Sequence, residues 1–333
     1  MLIFLGYKFL EFLAFITPYP LSYFIASIAA KIVCCLGIFV EILRKNVSIA
    51  KGLNTSDKEV TKVVRKIYTN WFMNVVDFLK HPLVNKENFK KRIELIGLEN
   101  LDKALEKNKG VVIFTAHLGN FEWGAARIAV EGYKIWGTGL TRKYKPTMMF
   151  FENRRLSKGL RTLYANKVML NVFKILKNNE IIAIPTDFDP LGTAKKHKFF
   201  GKLAYIPSGS VEIAMKTGAP LLPSFIWRKD KYTHRQIIGE PLDLITDISQ
   251  INPADKADIV DFAMQANEMK INGAMQLKNS NQANNIDLNN ENLSQKEIKQ
   301  ILINLNMKKM ISVMEKYISE HLEQWELFHD IWA

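Results

Sequence analysis

Apolar positions crowd the start of this chain. Leu2 to Ile16 carries charge only at Lys8 and Glu11, and Leu21 to Leu43 only at Lys31 and Glu41. Pro18 and Pro20 separate the two runs, and because proline lacks a backbone N–H donor the pattern predicts two helices broken there. A spanning helix needs about 20 apolar residues, which the first run lacks. The second is long enough but would place Lys31 near the bilayer centre, at a cost of about 2.5–3.5 kcal/mol. Residues 1–43 are therefore expected to form a membrane-anchoring hairpin that lies in one leaflet. A buried helix pair packed on the rest of the chain is the alternative. No basic stretch precedes the first run and no A-x-A site closes it, so a cleaved signal peptide is not expected.

The rhythm then changes twice. From about 44 to 100, Val60, Val63, Val64, Ile67, Trp71, Val75, Phe78 and Leu79 recur at helical intervals, the mark of a helix with one buried face. From Gly110, short apolar runs at Val111–Ala116, Lys134–Leu140, Ile181–Pro185, Leu221–Trp227 and His234–Ile238 alternate with helical stretches. That alternation predicts an α/β fold with a mostly parallel central sheet flanked by helices. Residues 246–304 form a polar, asparagine-rich insertion that lacks the apolar residues to build a core. A final amphipathic helix is predicted from about Leu305 to Gln324. The expected organisation is an anchor over 1–43 and one catalytic domain over 44–333.

Composition narrows the partners. The 333 residues carry a formal net charge of +13, which suits an anionic surface. No zinc-finger spacing, RRM-like aromatic block or helix-turn-helix signature accompanies the charge, so nucleic acid is not expected. The two cysteines, Cys34 and Cys35, are adjacent, which excludes a disulfide framework and a four-cysteine metal site.

The strongest chemical signal is His117-Leu118-Gly119-Asn120-Phe121-Glu122-Trp123, which follows the apolar run from Val111. Five residues of helix turn a side chain through about 500°, so His117 and Glu122 cannot share one helix face. Gly119 and Asn120 supply a break: His117 belongs to a loop at a strand's end, and Glu122 to the first turn of the next helix. Glu122 is then expected to accept a hydrogen bond from one imidazole nitrogen, leaving the other to take a proton from a hydroxyl. No G-x-S-x-G elbow offers a nucleophile. His81 and His234 are read as structural, and His197, within Ala194-Lys195-Lys196-His197-Lys198, as a solvated loop histidine.

The His117–Trp123 block resembles the active-site block of the lipid A biosynthesis acyltransferases, within the wider glycerolipid acyltransferase superfamily. Further blocks follow in that family's order. Thr141-Arg142-Lys143-Tyr144-Lys145-Pro146 resembles its acceptor block, Glu152 to Arg161 its basic helix, and Ile184 to Asp189 its D-x-D turn. Phe199-Phe200-Gly201, then Thr217 to Pro223, and finally Gln324-Trp325 with His329 resemble its later blocks. The resemblance covers 1–245 and 305–333 and lapses over the asparagine-rich stretch.

It implies a membrane enzyme that moves a fatty acyl chain from a thioester to a hydroxyl of a glycolipid such as a lipid A precursor. The catalytic pair would be His117 and Glu122. The donor would be acyl-ACP (acyl carrier protein) or acyl-CoA, with no cofactor and no metal. A phosphoinositide mannoside or a lysophospholipid is the alternative acceptor, and a non-catalytic lipid-binding protein of the same fold the alternative class. The expected location is the inner membrane, with the catalytic domain facing the cytoplasm. Arg142, after a predicted strand, is the choice for gripping an anionic group on the acceptor, because a guanidinium donates two parallel hydrogen bonds. Arg154 or Arg155 is expected to line the site. Asp187 and Asp189, in a turn after a buried strand, are read as bracing a basic side chain rather than holding Mg²⁺, which needs more oxygen ligands.

Overall fold

A computed structural model describes residues 2–164, 168–252, 255 and 294–333. The first elements are helical: α1 (Leu2–Ile16), α2 (Tyr19–Cys35), α3 (Val40–Lys51), α4 (Lys58–Lys80) and α5 (Lys86–Arg92). Strands and helices then alternate through β1 (Ile93–Ile96), α6 (Leu98–Leu105), β2 (Val111–Thr115), α7 (Phe121–Val130) and β3 (Ile135–Gly139). They continue with α8 (Lys145–Leu156), β4 (Arg161–Tyr164), α9 (Val168–Lys177) and β5 (Ile181–Pro185). An antiparallel hairpin, β6 (Lys195–Phe199) and β7 (Lys202–Ile206), precedes α10 (Gly209–Thr217), β8 (Leu221–Arg228) and β9 (His234–Ile238). A long helix, Gln295–Glu320, follows.

Seven strands form one sheet in the order β1-β9-β8-β2-β5-β3-β4. Every pairing is parallel except β8 with β9. The central strands are apolar throughout because both faces are covered. Val111 and Ile113 of β2 join Ile181 and Ala183 of β5 against Trp123 and Ala126 of α7 and Leu101 of α6. Val112 and Phe114 point the other way, with Ile182 and Leu221, onto Val211 of α10, Val172 of α9 and Met310 and Met314 of the long helix. This period-two division fixes the register, since a slip of one residue would exchange the two faces.

Several sequence expectations change. The last helix begins at Gln295, not near 305, and buries Ile301, Leu302 and Ile303. Ser294 starts it as a reciprocal capping box with Glu297. The rest of the asparagine-rich stretch, 256–293, lies outside the described residues. The Lys-rich segment around His197 is strand β6, and pleating turns His197 inward, where burial and the nearby Lys195 push its pKa down to about 4. His81 and His234 are buried, as expected of structural histidines.

The N-terminal helices pack against the rest of the chain by one face. Ser22, Tyr23, Ala26 and Ala30 bury one face of α2 against the fold, while Leu21, Phe24, Ile25, Ile28 and Ile32 stay exposed on the other. Tyr23 donates to buried Asp77 at 2.5 Å, so this region is packed into the catalytic domain instead of being joined to it as a separable anchor. No single described helix is long and apolar enough to cross a membrane; α2 and α3 pass by length and composition only as a pair bent by 93°.

Candidate active site

The site follows from strand register. β2 and β5 pair in parallel with Thr115 opposite Pro185, so the residues two beyond each strand, His117 and Asp187, leave the same edge of the sheet side by side. Asp187 Oδ1 lies 2.7 Å from His117 Nδ1, and its Oδ2 accepts from the His117 backbone N–H at 2.9 Å. Trp325 Nε1 donates to the same Oδ2 at 3.0 Å. Asp187 is fully buried. The remaining imidazole nitrogen, Nε2, has no hydrogen-bond partner among the described residues, and His117 lines a cleft of about 240 Å³.

The loop from His117 to Asn120 is held by backbone that the sequence separates widely. Gly119 N donates to Gln324 O at 2.9 Å and Glu326 N to His117 O at 2.7 Å, while Leu118 and Trp325 form an isolated bridge. Gly119 sits at φ +56°, and a Cβ there would stand 2.3 Å from Ile226 O, so only glycine fits. Asn120 then caps α7 by accepting from Trp123 N at 3.2 Å. Gln324 is pinned in turn, its Oε1 accepting from Arg228 N at 2.6 Å and its Nε2 donating to Arg228 O at 3.0 Å. His329 stacks on Phe188 at 3.9 Å, and Phe188 meets His117 edge-on at 6.5 Å.

The expected orienting carboxylate is corrected by this geometry. Glu122 does occupy the first turn of α7, but its carboxylate faces β3 and α8, where Arg155 holds it at both oxygens, Nε to Oε2 at 2.9 Å. Gly139 makes room for that guanidinium: a Cβ there would lie 2.9 Å from Arg155 Nη1. Glu122 therefore acts on His117 only through its charge, and Asp187 takes the hydrogen bond.

The other candidates divide. Arg142 and Arg155 both line the cleft, with Phe121, Leu140, Phe151, Glu152 and Tyr164. Arg142 is exposed at the rim, its guanidinium 4.0 Å from the centre of the Phe151 ring. Arg154 is buried away from the cleft, ion-paired with Glu11 of α1 and bonded to Phe150 O at 2.8 Å. Helical spacing explains this, since neighbouring residues point about 100° apart. Asp189 braces its own loop by accepting from the N–H groups of Leu191 at 2.8 Å and Ala194 at 2.5 Å, instead of a basic side chain. Among the described residues no three His, Cys, Asp or Glu side chains converge on one point.

Electrostatics suit a base. Burial alone would lower the His117 pKa, but the charge and hydrogen bond of Asp187, with the charge of Glu122, outweigh it and raise the pKa above the ordinary imidazole value. Burial likewise opposes ionisation of Asp187, yet His117 and Trp325 hold its pKa below the usual carboxylate range. A base must be neutral to accept a proton, so the acid limb of kcat/KM is expected above the midpoint of a free imidazole. Asp187→Asn should move that limb to lower pH, because the group that raises the pKa is gone. A limb that stays in place when residual activity is followed against pH would separate Asp187 from His117.

A histidine backed by a buried carboxylate and lining a cleft has the geometry of a general base. The profile of the bacterial lipid A biosynthesis acyltransferases matches residues 1–274, and the chain belongs to that family. It is 27% identical over 154 residues to the phosphatidylinositol mannoside acyltransferase of Mycobacterium tuberculosis (strain ATCC 25618 / H37Rv), 44% of this chain and 48% of that protein. The Mycolicibacterium smegmatis protein of the same name is 23% identical over 193 residues, 56% of this chain and 62% of its own length. The matches thus span about half to three fifths of these relatives. The 1-acyl-sn-glycerophosphate acyltransferase PlsC of Thermotoga maritima aligns over 79% of this chain and 99% of its own, at 15% identity and a TM-score of 0.32, too distant to bear on the chemistry.

Proposed function

We propose that this protein is a membrane-associated O-acyltransferase that moves a fatty acyl chain from a thioester to a sugar hydroxyl of an anionic glycolipid. The observation that carries the reading is the buried Asp187 at 2.7 Å from His117 Nδ1, with Nε2 left without a partner among the described residues. The acceptor hydroxyl oxygen attacks the thioester carbonyl as Nε2 takes its proton. Asp187 keeps the proton on Nδ1 and stabilises the imidazolium. Collapse of the tetrahedral adduct breaks the carbon–sulfur bond, and the imidazolium returns the proton to the departing thiolate. No covalent enzyme intermediate and no cofactor is required.

A cleft of about 240 Å³ is smaller than the usual range of enclosed ligand sites, so the reacting ends meet there while the acyl chains lie outside it. The family points to lipid A precursors and the mycobacterial relatives to phosphatidylinositol mannosides; both are phosphate-bearing glycolipids. Acyl carrier protein is the proposed donor, since a chain of net charge +13 favours an acidic carrier. The site would face the cytoplasm from the inner membrane. Purified protein given labelled acyl-ACP or acyl-CoA and each acceptor in turn, with mass spectrometry of the lipid products, tests the reading. It predicts a singly acylated glycolipid, formed faster from the carrier and slowed by salt; thioester hydrolysis without any acylated lipid would overturn it.

Arg142 is the proposed acceptor grip. Arg142→Ala should raise the acceptor KM and lower kcat/KM by about 10–150-fold, the equivalent of about 1.5–3 kcal/mol for a lost charge-assisted hydrogen bond. Arg142→Lys should recover only part of this, lacking the planar fork. A change under about twofold would pass the role to Arg155, the other cleft arginine.

A further inference from the structure

One surface beside the cleft has no partner among the described residues. α1 turns Phe4, Tyr7, Glu11 and Ala14 toward the rest of the chain, and its other faces expose Ile3, Leu5, Phe9, Phe12 and Ile16. That inward stripe lies on α4 and α8. Tyr7 stacks on Phe150 at 5.4 Å and meets Phe151 edge-on at 5.4 Å, Phe4 meets Tyr144 edge-on at 6.0 Å, and Glu11 is ion-paired with buried Arg154. Met148, Phe151, Glu152 and Arg155 of this same α8 line the cleft, so α1 and one cleft wall form a single packed unit.

At the head of α8, the loop from Leu140 to Lys145 is exposed throughout. Leu140 (56%), Tyr144 (41%) and, one turn on, Met149 (46%) are apolar there, interleaved with Arg142, Lys143 and Lys145. No aspartate or glutamate occurs between Leu140 and Phe151.

We propose that α1 and the 140–145 loop form one docking surface for an anionic lipid leaflet, and that the acceptor passes from the leaflet into the cleft across this loop. The acceptor route rests on the acyl-transfer reading; the docking does not. Large contiguous apolar patches on a protein surface mark interaction sites. This one is apolar and cationic at once, which matches an interface of acyl chains beneath anionic head groups. The cations stand at the rim where Arg142 and Leu140 border the cleft, so seating the loop on the leaflet brings the cleft mouth to the head groups.

Flotation of the full chain with phosphatidylcholine vesicles, with and without phosphatidylglycerol, tests the docking. Wild-type protein should prefer the anionic vesicles. Lys143→Gln/Lys145→Gln and Tyr144→Ser/Met149→Ser should each weaken binding about tenfold or more, whereas Lys107→Gln/Lys109→Gln, at the opposite end of β2, should not. Slow thioester hydrolysis without acceptor should be unchanged in the loop variants, and transfer to a glycolipid in vesicles should fall while transfer to the same glycolipid in detergent micelles holds. Loop variants that float like wild type, equal binding to neutral and anionic vesicles, or a loop-dependent change in oligomeric state in place of vesicle binding would overturn the proposal. Loop-dependent flotation without any acyl transfer would leave the docking standing and remove the functional reading instead.

Discussion

His117→Ala is expected to lower acyl transfer by about 100–10,000-fold in a protein that remains folded, because the proton acceptor is gone. Asp187→Asn should fall in a similar range. An amide at that position can donate to Nδ1, which favours the tautomer with its proton on the wrong nitrogen. Glu122→Gln should cost less, since Glu122 contacts Arg155 and affects the imidazole only through its charge. Turnover of the three variants, with folding checked by circular dichroism, ranks the two carboxylates. Near-wild-type activity in His117→Ala would end the mechanism, and a Glu122→Gln defect far exceeding that of Asp187→Asn would return the orienting role to Glu122.

Asp77→Ala should be the most destabilising single change, at about 3–5 kcal/mol. Asp77 is fully buried and accepts from Tyr23 at 2.5 Å, from Arg228 at 2.6 Å and from Asn120 at 3.4 Å. Removing it strands the buried Arg228 charge, which then retains Asn74 at 2.5 Å as its close partner. Replacing both members, as in Asp77→Leu with Arg228→Met, should cost less than either change that leaves one charge alone. The comparison is made by urea denaturation at matched slope. An Asp77→Ala loss under about 1 kcal/mol would mean that water reaches the pair. The same network joins α2 to the 117–120 loop through Tyr23 and Asn120, so removing residues 1–43 should destabilise the α/β domain.

Much of the fold was legible because the central strands are buried on both faces and therefore appear as unbroken apolar runs. The strands that escaped notice are short or solvated. β1 and β4 have four residues each, and β6 and β7 alternate exposed lysines with inward side chains, a weak signal against turn-like composition. The start of the long helix was hidden because its polar first turns continue the asparagine-rich composition. Its buried Ile301 and Leu302 pack only once Ile245 and Ile248 are brought alongside.

For the site, local sequence was enough to place His117 off the helix at a strand's end, Glu122 in the first turn of α7, and Asp187 beyond a second buried strand. Those are consequences of chain periodicity and of the break at Gly119-Asn120, which need no distant partner. Which carboxylate reaches the imidazole is a different kind of fact. It depends on β2 pairing with β5 in the register that sets Thr115 against Pro185, on Arg155 claiming Glu122, and on Trp325 returning from far along the chain to bond Asp187. Hydrogen bonds between residues 70 to 138 positions apart leave no periodic trace in the sequence. Only the packed sheet brings their atoms within bonding distance.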